Sequence, residues 1–205
     1  MKSNHWQKNI YEKNLQINEY PFSDVVSYFK RLKFSKNKKK IKILEIGCGC
    51  GNNLSFLANE GYKVSGVDFS YKAIKIAKQI FKKKKLSSKL EVGNIKKLNW
   101  PNEEFDYVFD RAALTHNTYD DIPVIIDEVC RVLKKKGTFV SFDLFSTNIA
   151  KKKSLKKLGL TSFFNFGMIK KLFSKFNLKK IEKKKIVNQK NMIIDETFFV
   201  EAIKK

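Results

Sequence analysis

The sequence predicts an α/β fold: a seven-stranded, mostly parallel sheet with helices on both faces and an antiparallel last strand. Short apolar runs alternate with segments whose apolar residues recur at helical spacing, which is the pattern of β-α-β units. Two final strand-like segments, Leu178–Val187 and Ile193–Lys205, follow each other without a helical pattern between them and predict a closing hairpin. With 205 residues and 42% hydrophobic residues, the chain is one domain large enough to bury a core.

The N-terminal part, residues 1–40, is predicted to be a helical segment, and residues 41–205 to form the main domain. After Pro21, apolar residues at helical spacing predict a helix that starts near Phe22. Aromatic residues precede the first strand, and two interpretations are open: the segment is a lid over a ligand, or it packs on the edge of the sheet. These aromatic residues are Trp6, Tyr11, Tyr20 and Phe22.

Strands and helices then alternate along the chain. An apolar run before the glycine-rich segment predicts a buried strand, and Ser70 is placed to cap a later helix. The predicted strands are Ile41–Ile46, Tyr62–Asp68, Lys89–Asn94, Phe105–Asp110 and Lys135–Phe145, followed by the two strands of the hairpin. The predicted helices pass through Leu54 and Leu57, through Ala73, Ile74, Ala77 and Ile80, from Asp120 to Lys134 and from Phe166 to Phe176.

The charge is strongly positive, since 43 Lys and Arg residues against 20 Asp and Glu residues give +23. Only three of the basic residues are Arg, the residue preferred for bidentate recognition of phosphates and bases. Two interpretations are therefore open: a solubilising lysine surface, and an anionic partner or substrate.

The expected compartment and the expected lack of a metal site are inferred from features that the sequence does not contain. We expect a cytoplasmic protein without membrane association, because no signal peptide or membrane-spanning run is visible. Three cysteines do not make a disulfide framework. Cys48 and Cys50 form a C-x-C that lacks the third and fourth ligands of a zinc site, so no metal site is expected.

The residues that carry chemistry lie in ILEIGCGCG, residues 43–51. A strand delivers Glu45, three alternate glycines follow, and Asp68 ends the next strand 21 residues after Gly47, where it can accept hydrogen bonds from ribose hydroxyls. A dinucleotide site needs its third glycine one residue later, and the acid before the loop would repel a pyrophosphate. The acid instead suits a cofactor with a sulfonium and an ammonium group, such as S-adenosylmethionine.

From Ile41 to Phe145 the chain resembles the class I S-adenosylmethionine-dependent methyltransferases, which have a Rossmann-like fold. LEIGCGCGNN, VDFS and EVGNI resemble the first three family motifs, and RVLKKKGTFVSFD resembles the fifth strand with its preceding turn. The third motif has Asn94 where the family commonly has Asp, and Pro is missing from the turn. The resemblance implies S-adenosylmethionine as cofactor and S-adenosylhomocysteine as product, with Asp68 on the ribose and Phe69 against the adenine. It implies these cofactor-binding residues: Tyr11, Glu45, Gly47, Cys48, Gly49, Gly51, Asn52, Asn53, Asp68, Phe69, Ser70, Gly93, Asn94, Ile95, Asp110 and Arg111.

The segment FDRAALTHN, residues 109–117, bears on which class of molecule accepts the methyl group. This segment lacks the Asn/Asp-Pro-Pro-aromatic run of enzymes that methylate base amines, and Cys130 is expected to pack rather than to attack a pyrimidine. Asp-Arg-Ala-Ala-Leu resembles small-molecule methyltransferases of the thiopurine type and the branch named methyltransferase domain 11. The resemblance implies methyl transfer to O, N or S of a small molecule. The alternative is an RNA methyltransferase or RNA-binding relative; an aminopropyl transferase would need more acids.

Two candidate catalytic residues lie in the same segment. His116 is a general base or an exposed loop residue, and Arg111 orients an anionic group, pairs with Asp110 or caps a helix. A cluster of aromatic residues before the last helix walls the acceptor pocket or packs in the core. The cluster is Phe163, Phe164 and Phe166.

The oligomeric state is expected to be a monomer or a homodimer.

Overall fold

The computed structural model shows a seven-stranded sheet flanked by helices. It describes residues 6–13, 15, 17–33, 37–149, 153, 155, 159–189 and 193–205. The strands are β1 Lys42–Ile46, β2 Lys63–Asp68, β3 Lys89–Val92, β4 Phe105–Arg111, β5 Leu133–Phe145, β6 Phe176–Val187 and β7 Ile193–Lys204. The α-helices are α1 Ser23–Arg31, α2 Asn52–Asn59, α3 Tyr71–Lys83, α4 Asp121–Val132 and α5 Phe166–Leu172. Within the described residues, no helix has the length and apolar character that crossing a bilayer requires.

The strand order is β3-β2-β1-β4-β5-β7-β6. β1 pairs in parallel with β2 and β4, β3 and β5 extend the parallel part, and β7 runs antiparallel between β5 and β6. The predicted fold class is therefore confirmed. Because the chain leaves β1 first toward β2 and later toward β4, a crevice opens at the carboxyl ends of these strands, where ligands bind in open α/β sheets. We call this edge of the sheet the carboxyl edge.

Buried apolar side chains lie on both faces of the sheet. On one face, Ile125 of α4 and Phe139 of β5 belong to the same core. On the other face, α1, α2 and α3 cover β1 and β4, and Phe29 packs on Phe109 with ring centroids 5.4 Å apart. Burial on both faces explains why the central strands read as short, almost wholly apolar runs.

Several element boundaries differ from the sequence prediction by one to four residues, and the largest difference lies between α5 and β6. The apolar spacing predicts a helix to Phe176, but α5 ends at Leu172 and β6 begins at Phe176. Phe173 and Phe176 both pack on Phe139, with ring centroids 5.7 and 6.3 Å away. The turn at residues 173–175 lets both rings cover Phe139, so burial of aromatic surface decides where the helix ends.

Candidate functional site

The glycine loop between β1 and α2 lies at the carboxyl edge. Gly47, Gly49 and Gly51 have φ angles of +67°, +52° and +74°, in the left-handed region that side chains rarely adopt. At Gly47 there is also no room, because an added Cβ would lie 2.4 Å from the Cβ of Ala113. The glycines are therefore required by backbone conformation and by close packing against the segment after β4.

The backbone amides of this loop are largely used within the protein. The N–H groups of Gly47 and Cys48 donate to the Val67 carbonyl at 2.8 and 3.0 Å, and that of Gly51 donates to the Cys48 carbonyl at 2.9 Å. The Gly49 N–H donates to Asp68 Oδ2 at 3.0 Å. A loop whose amides are occupied in this way, with a carboxylate beside it, is unsuited to a pyrophosphate, which needs free N–H donors.

Asp68 ends β2 and is only 5% exposed. Its Oδ1 accepts a hydrogen bond from the Ser70 N–H at 2.8 Å, and its Oδ2 accepts from Gly49. Burial raises the pKa of Asp68 to about 6, and the two backbone hydrogen bonds oppose that rise. Each carboxylate oxygen keeps acceptor capacity for a ligand hydroxyl, since a carboxylate oxygen accepts more than one hydrogen bond.

Glu45 and Asp110 are two further buried acids at the carboxyl edge, near the ends of β1 and β4. Glu45 Oε1 accepts from Asn53 Nδ2 at 2.7 Å, whereas Glu45 Oε2 is buried without a hydrogen-bond partner in the described part of the chain. Asp110 Oδ2 accepts from the Leu114 N–H at 3.0 Å. Burial raises the pKa of Glu45 well above its ordinary value and that of Asp110 to about 6. An unpaired buried carboxylate oxygen is costly by itself and becomes favourable when a cationic ligand binds it.

Asn52 and Asn53 connect the start of α2 to the segment before α1. Asn52 Nδ2 donates to the Tyr20 carbonyl at 2.8 Å. Asn53 accepts from the Phe22 N–H at 3.0 Å through Oδ1, while its Nδ2 holds Glu45. The structure therefore gives these two predicted cofactor-binding residues an anchoring contact, and through Asn53 it fixes the rotamer of the Glu45 carboxylate.

Arg111 lies at the end of β4, near the acids. Its guanidinium stacks on the Phe22 ring at 3.7 Å and its Nη2 lies 2.7 Å from Asp143 Oδ2. Of the two structural alternatives for Arg111, ion pairing is observed, but with Asp143 of the neighbouring strand. Asp143 has a φ of +56° and sits at a register shift in the β5–β7 pair, and Thr197 donates to it at 3.1 Å. The irregular backbone of β5 thus turns Asp143 toward Arg111.

The π-helical turn Gln7–Tyr11 covers the glycine loop. Gln7 Oε1 accepts from Ser70 Oγ at 2.5 Å, at the start of α3. Tyr11 is buried, and a Cβ added at Gly49 would lie 2.8 Å from its hydroxyl. Burial raises the pKa of Tyr11, with Asp68 adding to the rise. These contacts support the lid interpretation of the N-terminal segment, which stays a prediction.

The other predicted cofactor-binding residues flank the acids. Cys48 and Cys50 are buried, and burial raises the pKa of the Cys50 thiol to about 11. Phe69 is 38% exposed at the carboxyl edge. Three of the remaining residues have local contacts, and the fourth packs against the core. Ser70 caps α3, the Gly93 N–H donates to the Asp68 carbonyl, the exposed Asn94 accepts from the Lys96 N–H, and Ile95 is partly buried.

His116 lies in an aromatic wall formed with Trp6 and Phe145. The His116 ring centroid is 4.7 Å from that of Trp6 and 6.0 Å from that of Phe145. Nδ1 lies 3.0 Å from the Leu160 carbonyl, so the neutral ring that donates there carries its lone pair on Nε2. His116 is partly buried rather than an exposed loop residue.

The segment before α5 is held against the segment after β4. Tyr119 Oη accepts from the Phe163 N–H at 3.0 Å and donates to the Phe163 carbonyl at 2.9 Å. Phe163 and Phe164 are buried, and Phe166 is 46% exposed. Phe164 packs in the core with α4 and α5, while Phe163 packs beside Phe145 of the aromatic wall. Sequence reasoning did not single out Tyr119, whose partner lies 44 residues further along the chain.

A mostly parallel sheet whose carboxyl edge carries a glycine loop beside the buried acids Glu45, Asp68 and Asp110 is the arrangement of a Rossmann-like domain. Comparison with known proteins shows which proteins the chain resembles. Residues 43–137 match the family model described as a methyltransferase domain. Over 118 residues the chain is 33% identical to ubiquinone biosynthesis O-methyltransferase from Pelagibacter ubique, covering 58% of this chain and 48% of that protein.

Two further comparisons extend over more of the chain. Demethylmenaquinone methyltransferase from Geobacillus stearothermophilus is 29% identical over 181 residues, which are 82% of this chain and 74% of that protein. The solved structure of a phosphoethanolamine N-methyltransferase from Haemonchus contortus, in complex with phosphomonomethylethanolamine and S-adenosylhomocysteine, matches with a TM-score of 0.79 at 17% identity. It covers all of this chain and 60% of that one, and it shows the fold.

Residues 43–137, somewhat less than half of the chain, are thus similar to methyltransferase domains. The chain spans about half the length of the first of the curated relatives it matches. Within the described residues, no group of three or more His, Cys, Asp or Glu side chains is arranged to hold a metal ion.

Proposed function

We propose that this protein is a methyltransferase that binds S-adenosylmethionine at the carboxyl edge and methylates O, N or S of a small-molecule acceptor. The observation that carries the proposal is the buried Oε2 of Glu45, which has no hydrogen-bond partner among the described residues and lies beside a glycine loop whose amides are largely occupied. This arrangement suits a ligand with ammonium and hydroxyl groups and does not suit a pyrophosphate. The names of the two quinone-pathway relatives support a small-molecule acceptor.

The residues divide the work of holding the cofactor. When bound, S-adenosylmethionine supplies an electrophilic methyl group on a sulfonium. Asp68 accepts hydrogen bonds from the ribose hydroxyls, and Glu45 pairs with the ammonium group. Tyr11 and the turn that contains it exclude water from above the glycine loop, which strengthens these electrostatic contacts.

Cofactor binding is expected to depend on pH. Asp68 and Asp110 have pKa values of about 6 because they are buried, and a cationic ligand favours their charged forms. Binding therefore lowers both pKa values, and also that of Glu45, which burial raises and which pairs with the ammonium group, so protons are released on binding. We expect the affinity for S-adenosylmethionine to fall by about tenfold or more from pH 7.5 to pH 5. Isothermal titration calorimetry in two buffers of different ionisation enthalpy measures the affinity and the protons released.

Adenosine is the matched control ligand, because it has the ribose but neither of the positive groups. Its affinity is expected to change less over the same pH range. An affinity for S-adenosylmethionine that is equal at pH 5 and pH 7.5 would contradict the proposed role of the buried acids. If S-adenosylmethionine binds neither at pH 5 nor at pH 7.5, the proposed function is wrong as a whole.

His116 is proposed as the general base that removes a proton from the acceptor. Its Nε2 carries the lone pair when Nδ1 donates to Leu160, and the aromatic wall fixes the ring. We expect His116→Ala to lower kcat by about 10²-fold, with the affinity for S-adenosylmethionine unchanged. Release of S-adenosylhomocysteine, in a screen of candidate metabolites as acceptors, measures the rate.

A second variant separates the base from the packing. His116→Phe keeps an aromatic ring against Trp6 and Phe145 but cannot take a proton. It should be as inactive as His116→Ala while its melting temperature stays near that of the wild type. Activity within about threefold of the wild type in either variant excludes His116 as the base.

A second candidate function is methylation or binding of RNA, and the net charge of +23 favours it. Purified protein that carries nucleic acid, and an RNA affinity that falls steeply with added salt, would support this alternative. Many lysines at the surface pair with acids, such as Lys30 and Lys38 with Glu60, which lowers the charge available to a phosphate backbone.

A further inference from the structure

The β6–β7 hairpin continues past the end of β5 at the carboxyl edge. β5 ends at Phe145, which pairs with Thr197, whereas β6 and β7 stay paired as far as Val187 and Ile193. β6 runs in the same direction as β5, because both are antiparallel to β7. Lys184, which pairs with Thr197, is level with the end of β5, and Lys185–Val187 project beyond it; we call Lys184–Val187 the hairpin tip.

The hairpin tip combines exposed apolar side chains with lysines. Ile186 and Val187 are 46% and 50% exposed. Lys184 and Lys185 precede them and are exposed, and Lys185 Nζ lies 3.7 Å from Oε2 of the buried Glu196, so Lys184 is the lysine of the tip with its charge more available to a partner. β6 is an edge strand protected by lysines along most of its length, whereas its last two residues are exposed and β-branched, which indicates a contact surface at the tip.

Two further exposed apolar residues lie at the same edge. Leu160 is 40% exposed and borders the aromatic wall through its carbonyl. Phe166 is 46% exposed and opens α5, shortly after the backbone bridge between Phe164 and Ser146 that follows β5. Lys170 Nζ lies 4.8 Å from the centre of the Phe166 ring. Exposed apolar side chains thus accompany lysines at the hairpin tip and at the start of α5.

We propose that the hairpin tip, together with Leu160 and Phe166, binds the surface of an anionic lipid bilayer. Lysines are attracted to anionic headgroups, and the neighbouring apolar side chains enter the boundary between headgroups and acyl chains. Such binding needs no spanning segment, and it departs from the expectation, drawn from the sequence, of a protein without membrane association. The inference rests on the proposed function and deepens it, because it assigns the acceptor to the class of apolar molecules that reside in the membrane.

Lipid fits this surface better than RNA does. Single-stranded RNA is bound by aromatic stacking platforms and by Arg, whereas the hairpin tip has aliphatic residues and lysines, and the whole chain has three Arg. Ile186 and Val187 offer no face on which a base can stack, but their aliphatic side chains suit the apolar part of a bilayer interface.

Cosedimentation of the full chain with vesicles tests the proposal. We expect binding to phosphatidylcholine vesicles that contain about 30% phosphatidylglycerol, and little binding to pure phosphatidylcholine. Ile186→Ser combined with Val187→Ser should lower the partition coefficient by about tenfold, and Lys184→Glu by about fivefold or more. Lys135→Glu is the matched control, because it makes the same charge change at the opposite end of β5 and should change binding by less than about twofold.

The outcomes separate this inference from the proposed function. The inference is wrong if the anionic vesicles do not bind the protein, if Lys135→Glu weakens binding as much as Lys184→Glu, or if an RNA oligonucleotide displaces the vesicles and binds more tightly. Calorimetry with S-adenosylmethionine is run on the same samples. Cofactor binding without vesicle binding rejects only the membrane surface, whereas vesicle binding without cofactor binding rejects the proposed function. Lys184→Glu keeps the test valid if the double variant does not fold.

Discussion

Asp68→Ala is expected to weaken the binding of S-adenosylhomocysteine by about 10³-fold. Two ligand hydroxyls lose a charged acceptor, and hydrogen bonds to charged groups contribute about 1.5–3 kcal/mol each. The Gly49 and Ser70 N–H groups lose their acceptor as well, so the glycine loop is held less firmly. Isothermal titration calorimetry with S-adenosylhomocysteine measures the loss of affinity, and urea denaturation measures the accompanying loss of stability.

The control for this experiment is Asp127→Ala. Asp127 is exposed on α4 and pairs with Lys175, away from the glycine loop, so its removal changes the net charge equally without touching the site. Its effect on affinity is expected to be negligible. If Asp68→Ala binds S-adenosylhomocysteine as tightly as Asp127→Ala does, the cofactor is not held at the end of β2 and the assignment of the carboxyl edge is wrong.

Gly47→Ala is expected to lower the free energy of unfolding by about 4 kcal/mol. Part of the loss comes from the φ of +67°, which costs about 1–2 kcal/mol for a residue with a Cβ. The larger part comes from the 2.4 Å approach to the Ala113 Cβ, which forces the glycine loop away from the segment after β4. Urea denaturation at equilibrium measures the change, and cofactor affinity should fall with it.

Two further variants divide this loss into its causes. Gly61 has a φ of +92° and no atom within 4 Å of an added Cβ, so Gly61→Ala reports the cost of backbone strain alone, about 1 kcal/mol. Combining Gly47→Ala with Ala113→Gly removes the collision and should restore about half of the lost stability. If Gly47→Ala and Gly61→Ala lower the free energy of unfolding equally, the close approach between residues 47 and 113 does not contribute to the loss of stability.

The parts of the molecule that could be predicted from the sequence are those fixed by neighbours along the chain. The strands were predicted from short apolar runs. The glycine loop and its two acids were predicted from the three alternate glycines and from the positions of Glu45 and Asp68 relative to them. Ser70 was predicted as a helix cap and accepts the Ala73 N–H at 3.1 Å. Local chemistry suffices in these cases, because the partners are separated by few residues or by one β-α unit.

The parts that could not be predicted depend on contacts between distant segments. Arg111 meets Asp143 because β4 and β5 pair in one register and the backbone of β5 is irregular at that point, and neither feature leaves a trace in composition. The contact between Tyr119 and Phe163 likewise requires that the chain return over the end of β4. The direction of a side chain at a strand end is set by packing, and packing is decided by the whole fold.

The insertion of β7 between β5 and β6 has a consequence for biosynthesis. β6 emerges from the ribosome before β7 and has no partner in the sheet until Ile193–Lys204 has also been translated. Until then the β5 edge stays open, and the half of the domain that includes the buried Val200 and Ala202 is not yet assembled. We expect nascent chains stalled before residue 193 to be the species that chaperones bind and proteases degrade.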